Sequence, residues 1–390
     1  MPPPALELAD IFRQHGPAYR QAHPLPLYQH RLMQAIETCR TAVLGGSVEW
    51  CDRCQYSHIH YRSCGNRHCP KCQGLAREKW LDQRRGELLP IEYFHVVFTL
   101  PEPIAAMAFY NKEVVYDLLF RATAETLLNI ARDPQHLGGE IGFFALLHSW
   151  GQNLHFHPHL HCVVPGGGLS ADQDRWMQGR RRFLFPVKVL SRRFRRLMLK
   201  ALHKAYAAGQ LQFFGDPPAF TRYLDPLRKS KWVVYAKAPF GGPQHVLEYL
   251  GRYTHRVAIS NRRLLALEDG QVSFAWKDYR DAQRQKVMTV PAEEFIRRFL
   301  QHTLPSGLQR IRYYGFLANC HRAGKLDLCR RLLAAPGTDL LPQPGDCHGL
   351  LAGLRASNFR LCPRCGRGTL TSIHILWPCH ASASVRLDSS

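Results

Sequence analysis

The chain has 390 residues, and its 45% hydrophobic content excludes wholesale disorder and allows about two or three packed domains. Its 52 lysines and arginines outnumber 30 aspartates and glutamates, and the formal charge of +22 favours polyanion partners, nucleic acid first. No apolar run approaches the roughly 20 residues of a membrane span, and MPPPALELADIFRQHG lacks the charged-then-apolar layout of a secretory signal. The expectation is a cytoplasmic protein whose 13 cysteines are metal ligands and core thiols rather than disulfides.

Residues 1–90 read as a helical, zinc-binding N-terminal domain. LYQHRLMQAIETCRTAVL (27–44) spaces its apolar residues helically and stops at Gly45-Gly46, and GLAREKWLDQRRGELL (74–89) is a second amphipathic helix. Between them lie two knuckles, Cys51-x2-Cys54 and Cys69-x2-Cys72. A two-residue gap lets both thiolates of a knuckle converge on one ion, so the four cysteines are expected to close a tetrahedral structural zinc site. Cys64 and His68 lie in the same segment and are candidates to replace a member or to join a second site. Arg53, Arg62, Arg67 and Lys71, placed among the ligands, suit DNA contact.

The middle of the chain, 91–290, is β-rich. YFHVVFTL (93–100) and IGFFALLHSW (141–150) read as strands on either side of a helical stretch near 105–131, and HFHPHLHCVV (155–164) reads as the next strand. Alternate residues of a strand share a face, so His159 and His161 present two imidazoles together with Leu160 behind them, a grip for a divalent ion. His155 and His157, beside Pro158, are expected to be bystanders. No Asp or Glu occurs from Arg175 to Gly215, while RRRFLFPVKVLSRRFRRLMLK sets cations between aromatics and enters a helix predicted over 190–208. That composition suits a single-stranded backbone with stackable bases, making Arg180, Arg181, Arg182, Arg192, Arg193, Arg195 and Arg196 candidate DNA contacts.

KWVVYAKAPF (231–240) and QVSFAWKDY (271–279) are later strands, with a helix predicted over 244–253 between them. Within QHVLEYLGRYTHR (244–256), Tyr249 and Tyr253 lie four apart and share a helix face, with Arg252 and Arg256 beside them as further candidate DNA contacts. A tyrosine hydroxyl, with a pKa of about 10, becomes a nucleophile only beside a cation or a base. An ion held by two histidines can polarise a scissile phosphate and stabilise the charge developing on its oxygens. Metal histidines, tyrosines and a basic chain together describe a nuclease working through a phosphotyrosine link. Strands mixed with helices in this order suggest an α+β fold with a largely antiparallel sheet.

The region 291–390 is expected to be mostly helical up to Leu333 and then to loosen into APGTDLLPQPGDCHG. It ends with a further knuckle, Cys362-Pro363-Arg364-Cys365-Gly366, for which no partner pair is evident; only His374, Cys379 and His380 are near it in sequence.

SCGNRHCPKCQ (63–73), YFHVVFTLP (93–101), HPHLHCVVPGGG (157–168), FLFPVKVLS (183–191), YLGRYTHRVAISN (249–261) and YYGFLAN (313–319) span nearly the whole chain in one order. In these stretches the sequence resembles the two-tyrosine rolling-circle transposases of the insertion-sequence-91 family, within the His-hydrophobe-His endonuclease superfamily. The resemblance implies a five-stranded antiparallel catalytic sheet with flanking helices. It also implies His159 and His161 as ligands of Mg²⁺ or Mn²⁺, Tyr249 and Tyr253 as nucleophiles, and Cys51, Cys54, Cys69 and Cys72 as zinc ligands. A third ligand comes from a neighbouring strand or helix in that superfamily; Gln152 is the first choice here, with His95 and His245 as alternatives. The implied reaction nicks and transfers single-stranded DNA from the ends of a mobile element to target DNA through a 5′-phosphotyrosine, in the nucleoid of a prokaryotic cell. The rival readings are a zinc-finger DNA-binding regulator without catalysis, a related replication-initiator nickase, and a metal phosphoesterase that hydrolyses directly.

Overall fold

The computed structural model describes residues 6–180, 184–213, 215–237, 246, 251, 257–278, 281–334 and 361–379. In chain order, helices α1 (Leu8–Ala22) and α2 (Leu27–Thr38) precede strands β1 (Gly46–Cys51) and β2 (Ser57–Tyr61) and helix α3 (Gln73–Arg85). Strand β3 (Tyr93–Thr99), helices α4 (Glu102–Tyr110) and α5 (Lys112–Arg132), and strands β4 (Gly142–Trp150) and β5 (Phe156–Pro165) follow. Then come β6 (Gly167–Leu169), β7 (Trp176–Gln178), α6 (Val187–Ala207), α7 (Pro217–Lys229) and β8 (Val234–Lys237). A meander of β9 (Leu264–Glu268), β10 (Gln271–Asp278) and β11 (Arg284–Pro291) leads to α8 (Ala292–Leu300), β12 (Ile311–Gly315), α9 (Arg322–Leu333) and β13 (Leu370–Leu376). The fold is α+β with antiparallel sheets.

The central sheet has five strands in the order β12-β4-β5-β3-β8, every neighbour antiparallel. Its three middle strands are rich in aromatic and β-branched residues, and β4 is buried along its whole length. Alternation divides the sheet into two faces. Val96, Phe98, Ala145, Leu147, Leu160, Cys162 and Val164 face helices α4 to α7 in the largest core, where Phe98 meets Phe194 edge-on at 5.1 Å. Helix α5 closes that core because Val115, Leu119, Phe120, Leu127 and Ile130 recur at three- and four-residue spacing along one side.

The opposite face carries Tyr93, Phe144 and Val163, which join Leu89, Val246, Phe316, Leu326 and Leu333 in a smaller core, with Trp80 of α3 edge-on to Phe144 at 5.8 Å. The third core binds the N-terminal helices to the meander: Phe12 and Phe299 meet edge-on at 5.5 Å, and Ile11, Met33, Val272, Phe274 and Ile296 surround them.

Two elements depart from the periodicity. The helix predicted over 27–44 stops at Thr38, where Cys39 takes an extended backbone and ends it. The stretch from 291 to 333 holds its two helices, but Ile311–Gly315 between them is a strand that joins the central sheet beside β4. Strand β13 pairs with β1, and with β2 they form a three-stranded sheet that brings residues 370–376 onto the N-terminal segment.

The pairing of β12 with β4 ends at two opposed glycines, Gly142 and Gly315. Gly315 has φ +59°, and a Cβ there would lie 1.7 Å from the Ile141 carbonyl oxygen. Gly315→Ala is therefore expected to lower unfolding stability by about 3 kcal/mol through combined strain and clash. Chemical denaturation of the full chain checks this, and an unchanged midpoint would show that β12 is not fixed in this register.

Candidate metal centre

On the second face of the central sheet, three histidines converge. His148 on β4 is the cross-strand partner of His159 on β5, and His161 follows two residues later on the same side. Their candidate ligand atoms all lie within 4.8 Å of one another. His159 Nε2 and His161 Nε2 are 3.0 Å apart. Two donors at right angles around an ion about 2.1 Å away are separated by about 3.0 Å, so the pair fits one divalent ion. Each of the two β5 rings is oriented by its other nitrogen. His159 Nδ1 lies 2.6 Å from the His157 carbonyl oxygen and so donates to it. His161 Nδ1 lies 2.8 Å from Nε2 of His95, and the two rings lie side by side in nearly one plane, with centroids 5.0 Å apart and an interplanar angle of 6°.

A partner on one ring nitrogen fixes the tautomer and aims the other nitrogen into the cluster. Burial pushes His159 down to about 4, and burial followed by the nearby Lys237 charge pushes His95 down to about 4. Both rings are therefore neutral near pH 7, which is the ligating form.

The resemblance implies Gln152 as a third ligand; it lies on the turn between β4 and β5, where its carbonyl accepts from Arg263, and His148 is a third imidazole beside His159 and His161. His95 holds a ring rather than joining the cluster. His155 and His157 are exposed and outside the cluster, as expected for bystanders. His302 is a buried structural histidine, bonded to Ser149 Oγ at 3.3 Å and to the Leu154 carbonyl at 3.1 Å.

The cysteines also regroup. Cys51 and Cys54 do not meet Cys69 and Cys72 at one site; the chain instead builds two clusters of four. Cys69 and Cys72 join Cys64 and Cys39, with Cys72 Sγ 3.5 Å from Cys39 and 3.6 Å from Cys64. Cys51 and Cys54 join Cys362 and Cys365, so the C-terminal knuckle has its partner pair at the other end of the chain. A hydrogen bond from Cys69 draws the Cys64 thiol down to about 5, and backbone N–H groups of Arg367 and Gly368 draw Cys365 down to about 6. Each cluster thus holds a thiol biased toward thiolate, the metal-binding form. His68 belongs to neither, because its Nε2 accepts the Leu304 N–H at 3.3 Å. Cys39 escaped the sequence reading because its neighbours continue a helical pattern; only the helix end turns it toward the knuckle.

Among the candidate DNA contacts, Arg180, Arg192 and Arg196 are exposed. Arg192 and Arg196 stand with Lys188, Lys200 and Lys204 in an exposed row along α6 at four-residue spacing. Arg193 and Arg195 are half-buried, and Arg195 donates to the Ser230 carbonyl at 2.8 Å. Arg181, Arg182, Arg252, Arg256, Tyr249 and Tyr253 lie outside the described residues, as do His245 and His380. Two described residues bracket Tyr249: Val246 is buried in the cluster that includes Phe144 and Val163, and a Cβ on Gly251 would lie 2.7 Å from Leu81 Cδ1. The edge strand β8 places Tyr235 (54% exposed) opposite Val97 and exposed Lys237 opposite His95, a pair the sequence did not single out.

Residues 142–324 match a family described as "Putative transposase", and residues 11–100 match one described as "Transposase zinc-binding domain". The chain is 58% identical over 378 residues to "Putative transposase y4qJ" of Sinorhizobium fredii (strain NBRC 101917 / NGR234), covering 95% of each chain. It is 30% identical over 294 residues to "Transposase for insertion sequence element IS801" of Pseudomonas savastanoi pv. phaseolicola, covering 72% of this chain and 68% of that one. No solved structure matches it.

If the ring of His95 aims His161, then His95→Phe is expected to weaken binding of Mn²⁺ to the full chain by roughly 10- to 100-fold. Calorimetric titration with Mn²⁺ checks this, alongside far-ultraviolet dichroism to confirm the fold. An affinity equal to that of the unaltered chain would mean that His161 needs no such support.

Proposed function

The chain belongs to the insertion-sequence-91 family of transposases, and we propose that it nicks and transfers single-stranded DNA through a 5′-phosphotyrosine intermediate, as in rolling-circle transposition. The observation that carries this reading is the convergence of His148, His159 and His161 on one face of an antiparallel sheet. A set of three imidazoles would leave coordination positions open for phosphate oxygens, as a catalytic rather than a closed structural site does. The ion proposed there is Mg²⁺ or Mn²⁺, and it supplies charge stabilisation at the scissile phosphate.

Tyr249 and Tyr253 are the proposed nucleophiles. The tyrosine oxygen attacks phosphorus, the bond from phosphorus to O3′ breaks, and the departing oxygen takes up a proton to become a free 3′-hydroxyl. The tyrosine proton passes to solvent or a base. One phosphoester replaces another, so the step needs no ATP. A second tyrosine permits a second cleavage while the first strand stays attached, which strand transfer requires. Support comes from the residues on either side of Tyr249 in the chain: Val246 is buried in the core on the histidine face, and Gly251 lies against Leu81.

DNA is held, in this reading, by the cationic row on α6 and by exposed side chains near the metal face, with affinity that falls as salt rises. The cluster of Cys39, Cys64, Cys69 and Cys72 is proposed to hold a structural Zn²⁺ within the matched zinc-binding domain. Among the described residues no helix is long and apolar enough to cross a membrane, and the proposed workplace is the nucleoid.

A single-stranded oligonucleotide carrying the element's own end, incubated with full-length protein and Mn²⁺, tests the proposal. A covalent adduct that survives denaturation and is destroyed by protease is expected. Replacing both tyrosines, Tyr249→Phe with Tyr253→Phe, is expected to abolish it, and His148→Ala to reduce metal-dependent cleavage at least 100-fold, on the order of losing one strong electrostatic contact. Cleaved product without adduct would favour direct hydrolysis. Binding without cleavage would favour a regulator, and an adduct formed by the double Phe variant would overturn the tyrosine assignment.

A further inference from the structure

We infer that Cys51, Cys54, Cys362 and Cys365 hold a second structural Zn²⁺ that fastens the C-terminal strand to the N-terminal zinc-binding domain. The matched zinc-binding domain covers residues 11–100 and so accounts for only half of these ligands. Cys54 and Cys362 are 308 residues apart in the chain, yet their sulfurs lie 3.5 Å apart, and those of Cys51 and Cys365 lie 3.8 Å apart. Sulfurs on a tetrahedron about 2.3 Å from zinc are separated by about 3.8 Å, whereas a disulfide requires about 2.05 Å. The spacings therefore fit a shared ion and not a pair of disulfides.

The two knuckles are built alike. Each is Cys-x-Arg-Cys, and the residue after its second cysteine has a left-handed backbone: Gln55 at φ +56° and Gly366 at φ +64°. In each, that residue's N–H returns to the carbonyl of the first cysteine, Gln55 to Cys51 at 3.2 Å and Gly366 to Cys362 at 2.9 Å. The turn aims both sulfurs of a knuckle the same way and leaves Arg53 and Arg364 exposed. Four thiolates around Zn²⁺ carry a net charge of about −2, and Arg53, Arg364 and Arg367 are the exposed cations beside them.

The approach of the two segments does not rest on the sulfurs alone. Strand β13 pairs with β1 from Gly46 to Cys51, and Asp52 continues the contact, its N–H reaching the Thr369 carbonyl and its Oδ1 accepting the Thr369 N–H at 2.8 Å. Gly368 passes so close that a Cβ would lie 2.4 Å from Cys51 Sγ, and its N–H donates to Cys365 Sγ at 3.3 Å. Such N–H groups stabilise thiolate ligands.

The test uses the full-length chain purified without chelator. Its zinc content is expected to fall by one equivalent in Cys362→Ser with Cys365→Ser, and by the same one in Cys51→Ser with Cys54→Ser. The four-fold variant is expected to lose no more than one. Unchanged zinc in the Cys362/Cys365 pair, or loss of two equivalents in the four-fold variant, overturns the inference. Because serine variants can unfold, the unaltered chain is also alkylated with N-ethylmaleimide and mapped by mass spectrometry. Cys51, Cys54, Cys362 and Cys365 are expected to resist until a chelator is added and then to react together. Reaction of Cys362 and Cys365 at the rate of exposed Cys379 in zinc-loaded protein would equally overturn it.

Discussion

The site depends on the register of β5 between its two antiparallel neighbours. His95, His148, His159 and His161 come from three strands, and only cross-strand pairing puts them on one side. The period of a strand is two, so a slip of one residue would turn every histidine of β5 into the apolar core and Leu160 and Cys162 out of it. The register contains an irregularity that the site requires. His148 opposes His159 while Trp150 opposes Phe156, so that two steps on β4 match three on β5. Continuing the Trp150 pairing without this bulge would set His148 opposite Pro158, on the wrong face. Pro158 lies within the bulge, where its missing N–H leaves no broken ladder bond. The proline that interrupts the histidine run thus accompanies the shift that lets a third histidine join it.

Behind this sheet the N-terminal segment and the segment after α8 hold each other. Arg67, inside the Cys64–Cys72 loop, donates to the carbonyls of Leu304, Pro305 and Leu308. Gln29 reaches the Leu300 carbonyl, and buried Lys112 donates to the carbonyls of Gln301 and Thr303 at 2.8 and 2.9 Å. Between those two acceptors lies His302, which bonds Ser149 next to His148. The cysteine loop, α5 and β4 therefore share one buried stretch of backbone. Buried polar groups that are fully paired resist displacement, since removing one partner leaves an unsatisfied group costing about 1–3 kcal/mol.

Much of this was legible in the chain. The strands at 93–99, 142–150 and 156–165 follow from local composition, and the facing of His159 and His161 follows from alternation alone. What was hidden is what depends on distant pairing. His148 is one histidine in a buried apolar strand, and nothing near it marks which face it takes. Cys51 and Cys54 have a neighbouring knuckle at the right spacing, so proximity in sequence suggested a partner that proximity in space replaced with Cys362 and Cys365. The strand Ile311–Gly315 was read with its helical surroundings because its five residues are too short for a period to decide. His68 has the chemistry of a ligand, and only the Leu304 N–H shows that its nitrogen is already engaged.

The same geometry constrains how DNA can lie. Helix α6 packs through Leu190, Phe194 and Met198 on the apolar face of the sheet, so its row of cations is on the far side from the three histidines. In the proposed reaction, Arg192 and Arg196 would therefore grip the DNA away from the phosphate held at the three histidines. Among the described residues β3 is the one neighbour of β8 in the sheet. A DNA strand held by both α6 and the metal face, as proposed, would pass this edge, where Lys231, Tyr235 and Lys237 are exposed. Two cations flanking an aromatic ring are suited to a backbone whose bases stack. On the proposed function, the arginine tract would gather DNA, and the edge of β8 would be its route to the histidines.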